Sequence, residues 1–118
     1  MAKYLFLVSY NEKGWAAMAK APHDRGAAVK PAIEKLGGKL ESFYYAFGKH
    51  DVVAIADFPS NAAAAGFAIA AAAGGEVKSL TTTPLMTAAD AVGAMKMAGG
   101  STYKPPSSAK KAPAKKKK

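Results

Sequence analysis

The stretch FYYAFGKHDVV, residues 43–53, decides how this chain is read. Two runs rich in aromatic and β-branched residues, KLESFYYAF (39–47) and HDVVAIADF (50–58), meet there across a short connection containing Gly48. Strand formers on both sides of a glycine-bearing turn are the pattern of a β-hairpin. The same connection holds Lys49, His50 and Asp51, so it is also the first place to look for a site.

Working outward, KYLFLVSY (3–10) is a further strand, and Asn11 can cap a helix with Gly14 and Trp15 in its first turns. APHDRGAAVKPAIEKLGG (21–38) reads as a helical region that opens after Pro22 and ends at Gly37-Gly38. Pro31 lacks an N–H donor, which predicts a kink or a break inside it. Beyond the hairpin, Ser60 caps NAAAAGFAIAAAA (61–73), an alanine-rich helix stopped by Gly74-Gly75. EVKSLTTTPL (76–85) is the fourth strand. Thr87, with Asp90 three residues on, opens a last helix in TAADAVGAMKMAGG as a capping box. The order β-α-β-β-α-β plus a C-terminal helix predicts an α+β, ferredoxin-like fold, with two helices on one face of a four-stranded antiparallel sheet.

Composition bounds the rest. Half of the 118 residues are apolar, enough for one modest core. The absence of cysteine excludes disulfides and thiolate metal sites. The apolar run in MAKYLFLVSY is too short and broken for a signal peptide or a membrane span, so a cytoplasmic protein is expected. Of the net charge of +9, residues 1–99 carry 10 bases against 8 acids, or +2, and residues 100–118 carry 7 lysines and no acid, or +7. The expected division is a domain over 1–98 and a basic tail over 99–118, whose AKKAPAKKKK segment cannot offset its ordering entropy by burial and is expected to be disordered.

Strand patterning raises the question of the sheet's second face. Tyr4, Phe6, Val8 and Tyr10 alternate with Leu5 and Leu7; Leu40, Tyr44 and Ala46 alternate with Phe43, Tyr45 and Phe47; VVAIA is apolar throughout. Both faces ask for cover, and two helices cover one. Two chains packing sheet to sheet would solve this as a dimeric α/β barrel. An open aromatic platform for single-stranded nucleic acid is the alternative, but the strands carry few basic residues for it.

YLFLVSY, LGGKLESFYYAFGKHDVV, FPSNAAAAGFAIA and KSLTTTPLMTAADA together resemble the GYD-domain family, over residues 3 to about 96. The anchor is the turn after the second strand, where the family pattern is Gly-x-Tyr-Asp and this chain reads Gly48-Lys49-His50-Asp51, with histidine in the tyrosine position. The resemblance implies a small relative of the dimeric α/β-barrel group and implies no particular reaction. It also places an arginine or similar base near Arg25.

The candidate site residues follow from chemistry. His50 and His23 are the two histidines and the candidates for general acid–base work. As a turn, GKHD would instead place Gly48 at positive φ, point Lys49 and His50 to water, and let Asp51 bond backbone N–H groups. Arg25 can bind a carboxylate or phosphate, or be part of a solvated first turn. Tyr10 and Tyr45 (with Tyr44) can orient a polar ligand between sheet and helices, or simply pack. Ligand contact is thus expected from Arg25, Tyr10, Tyr45 and Asp51. No metal-ligand spacing, phosphate loop, nucleophile elbow or dinucleotide fingerprint is present, so no metal or cofactor is expected. Lys110, Lys111, Lys115, Lys116, Lys117 and Lys118 can contact DNA or RNA phosphates without reading sequence. Three functions remain: small-molecule binding by a homodimer; a nucleic-acid-associated protein that uses the tail; and a metal-free monooxygenase-like or isomerase-like enzyme.

Overall fold

The computed structural model of the chain describes residues 1–108. Its elements are β1 (Ala2–Tyr10), α1 (Glu12–Lys20), α2 (Arg25–Lys35), β2 (Lys39–Tyr45), β3 (Val52–Phe58), α3 (Asn61–Ala73), β4 (Val77–Leu85) and α4 (Ala88–Gly99), with a short 3-10 turn at Pro106–Ser108. The strands form one antiparallel sheet in the order β2-β3-β1-β4, the ferredoxin-like arrangement. Residues 1–85 form one compact unit, and the described residues from Met86 to Ser108 belong to a second, which includes α4. Among the described residues no helix is long and apolar enough to cross a membrane.

Each helix starts where a side chain satisfies the free N–H groups of its first turn. The carboxamide of Asn11 accepts from Gly14 N–H, the carboxylate of Asp24 from Ala27 N–H, the Ser60 hydroxyl from Ala63 N–H and the Thr87 hydroxyl from Asp90 N–H. The first crossover is two helices, α1 and α2, separated at Ala21–Asp24. The Asp24 cap starts α2, and the chain stays helical through Pro31. The missing Pro31 donor leaves the exposed Ala27 without an i+4 partner, so water can take its place. Gly37 and Gly75 leave α2 and α3 at φ +84° and +81°, a region that favours glycine.

The core lies between the sheet and the helices of residues 1–85. Tyr4 and Phe6 from β1, and Val52, Ala54, Ala56 and Phe58 from β3, meet Ile33 of α2 and Ala64 of α3, all buried. Phe6 meets Phe58 and Phe67 edge-to-face, with ring centroids 5.9 and 5.5 Å apart. Removing each such ring from water stabilises the fold by roughly 1.5–3 kcal/mol.

Strict alternation misassigns β2. A β-bulge between Leu40 and Ser42 inserts Glu41, so Leu40 opposes Ala56, Phe43 opposes Ala54 and Tyr45 opposes Val52. Leu40, Phe43 and Tyr45 therefore share the helix-covered face, whereas Tyr44 stands on the other, 67% exposed. That other face carries Leu5, Leu7, Val53 and Ile55, and none of α1–α3 packs on it. Lys3 bridges Glu41 and Asp57 at one end of it.

The hairpin is looser than its sequence suggests. β2 ends at Tyr45 and β3 begins at Val52, so residues 46–51 form a six-residue loop. It is closed by Ala46 N–H donating to Asp51 O at 2.8 Å. Gly48 does not take positive φ, because a loop this long turns without it. His50 does not point freely to water: it is half-buried.

Candidate functional site

On the helix-covered face, toward the Tyr10 end of β1, the packing opens into a pocket of about 240 Å³. The sheet supplies its floor through Phe6, Val8, Val52, Ala54, Phe43 and Leu80, and its walls are Ala17 and Met18 of α1, Val29 and Ile33 of α2, and Phe67, Ala70 and Ala71 of α3. The void follows from the sequence. Alanine builds α3 with little entropic cost, but Ala70 and Ala71 line the space together with Ala54 and Ala56, and four methyl groups fill little of it.

The polar part of the wall is small: Tyr10, His23, Arg25 and Glu76. Tyr10 ends β1, and Arg25 is the first residue of α2, held in place by the Asp24 cap. His23 Nδ1 lies 2.9 Å from Ala21 O, and Arg25 Nη1 lies 3.3 Å from His23 Nε2. A carbonyl only accepts, so Nδ1 carries the ring proton and Nε2 accepts from the guanidinium. Burial pushes the Tyr10 phenol above its usual pKa, with the Arg25 charge pulling the other way. Tyr10 is therefore a neutral hydroxyl donor at physiological pH.

The 46–51 loop is tied to this end of the sheet. Asp51 Oδ2 accepts from Tyr10 N–H at 2.8 Å and from Trp15 Nε1–H at 3.2 Å; Asp51 N–H donates to Val8 O at 2.8 Å; Ser9 Oγ donates to Lys49 O at 3.1 Å. Asp51 thus fixes the end of β1, the loop and the Trp15 ring of α1 together. Trp15 packs edge-on to Tyr10, with centroids 5.6 Å apart, and lies 6.5 Å from Tyr45.

Of the residues singled out from sequence, Tyr10, His23 and Arg25 line the pocket, and Tyr45, His50 and Asp51 do not. The Tyr45 hydroxyl accepts from Arg25 N–H at 3.3 Å, and its ring lines a shallow groove with Trp15, Met18, Pro22, His23 and Phe47. His50 Nδ1 is buried and has no hydrogen-bond partner. Lys110, Lys111 and Lys115 to Lys118 lie outside the described residues. Among the described residues no group of three or more His, Asp or Glu is placed to hold a metal ion. Sequence reasoning missed Met18, Phe67, Ala71, Glu76 and Leu80. The legible signal was the alanine run in α3, a helix able to cover a sheet without filling the space beneath it.

A family model described as the GYD domain matches residues 4–95. No curated protein and no solved structure matches the chain.

Proposed function

The chain belongs to the GYD-domain family, and on that premise we propose that it is a homodimeric protein that binds a small molecule in the pocket between its sheet and α1–α3. The observation that carries this reading is the pocket itself: an apolar space with a few convergent polar groups at one end, the usual form of a small-molecule site. Trp15 is the single tryptophan and touches the Tyr10 wall, so its emission reports occupancy. Titration with a panel of small amphipathic molecules is expected to shift that emission and raise Tm. No shift by any of them at millimolar concentration would overturn the reading.

The second copy is assigned to the sheet face opposite α1–α3. Leu5, Leu7, Val53 and Ile55 offer it apolar area, and Lys3 and Lys39 lie beside Glu41 and Asp57. A patch carrying both charge signs suits a self-complementary, two-fold contact. Light scattering is expected to give twice the chain mass; a monomer across the micromolar range would overturn the assignment.

A second reading rests on charge alone. Residues 100–118 carry 7 lysines and no acid, which suits sequence-independent contact with DNA or RNA phosphates. If all seven engage duplex DNA, log K falls with log salt at a slope near −6, from about 0.9 per phosphate. Equal DNA affinity with and without residues 100–118 would rule this out.

A further inference from the structure

We propose that the pocket selects amphipathic monocarboxylates, with the carboxylate on the Arg25 guanidinium beside the Tyr10 hydroxyl and the apolar body over Phe6 and Phe67. This rests on the small-molecule reading above and names the ligand class for that site.

Arg25 is the starting point. It is half-buried in a mostly apolar wall, and a guanidinium is a planar cation with donors and no acceptor. Among the described residues no carboxylate lies within ion-pairing distance of it, and the side chains beside its guanidinium are the His23 ring, through Nε2, and the Tyr10 phenol. The nearby acids are already engaged. Asp24 caps α2 through Ala27 N–H, and Asp51 holds Tyr10 N–H and Trp15. Glu76 is exposed and makes no ion pair with Arg25. A partly desolvated cation without a counter-ion is stabilised by an incoming anion, and a planar guanidinium fork matches a planar carboxylate.

The count of polar groups sets the charge of the ligand. One cation and one neutral hydroxyl donor match a single negative charge better than a phosphate dianion, which calls for more donors. Apart from His23 and the exposed Glu76 at its polar end, the remaining wall is aliphatic and aromatic and accepts a short hydrocarbon chain or a small ring. At about 240 Å³ the space lies below the common range for drug-sized ligands, so the body is short.

The test is calorimetric titration of the full chain with octanoate, 1-octanol and octylamine, each below its micellar concentration. Octanoate is expected to bind at least tenfold tighter than 1-octanol. Arg25→Gln is expected to erase that preference, and Arg25→Lys to keep part of it. Arg25 opens α2 without packing in the core, and an unchanged Tm in both variants confirms that they fold. If 1-octanol and octanoate bind equally, or octylamine binds best, the carboxylate inference is overturned and the pocket reading stands. Octanoate preference that survives Arg25→Gln also overturns the inference, because another cation is then responsible. If no probe binds, the small-molecule reading falls and the inference falls with it.

Discussion

The two ends of one sheet face differ in what they set against the alanines of α3. Near its start, Ala64 meets the large rings of Tyr4 and Phe58, and the Tyr4 hydroxyl donates to the Asn61 carboxamide, so the space is filled. Near its end, Ala70 and Ala71 line the pocket together with Ala54 and Ala56, and the space stays open. Small against large packs; small against small leaves a pocket. The same helix, nearly uniform in sequence, therefore closes the core at one end and opens a site at the other.

The comparison is broken most severely at the closed end. Phe58→Ala, which removes a fully buried ring, is expected to cost about 3–5 kcal/mol by chemical denaturation. A cost under about 1 kcal/mol would mean that this end is not the packed one. Gly38→Ala tests the same region differently. A Cβ there would stand 2.6 Å from Asp57 O and 2.8 Å from the Phe58 ring, so a marked fall in Tm is expected. Next in size is the latch beside the pocket. Asp51→Ala leaves Tyr10 N–H and Trp15 Nε1–H without their acceptor and is expected to cost about 1–3 kcal/mol, with a shift in Trp15 emission.

Filling the pocket sharpens the contrast. Ala71→Leu is expected to change stability by less than about 2 kcal/mol in either direction while abolishing uptake of the probe ligands. Retained binding would place the ligand elsewhere. The smallest effect is alkaline. Tyr10 is raised by burial, and Lys3 is raised by its hydrogen bonds to Glu41 and Asp57. The folded chain then holds these protons more tightly than the unfolded one. Their contribution is complete below pH of about 10, near the unfolded values, and is lost as pH rises through the folded ones. Tyr10→Phe is expected to flatten, and not to steepen, the fall in Tm above that pH.

What the sequence disclosed follows physical range. Caps and stops are local chemistry, and Asn11, Ser60, Thr87, Gly37 and Gly75 announce them within a few residues. The element order and the sheet followed from those signals. The facing of β2 did not, because the Glu41 bulge shifts the register by pairing with β3, which no period-two count reveals. The looser 46–51 loop escaped for the same reason: Asp51 and Lys49 are held by β1, about forty residues away. The pocket was half legible. Tyr10, His23 and Arg25 stood out by their chemistry, whereas the residues that shape the void are alanines and are visible only once α3 lies on the sheet.

The Glu41 bulge also bears on how the sheet can grow. β2 and β4 are its two outer strands, where unpaired backbone groups invite another strand to add sideways. On one side the bulge, flanked by the exposed Lys39, distorts the template; on the other, Pro84 withholds a donor and Lys78 adds charge. Runaway edge-to-edge polymerisation is thus discouraged on both flanks.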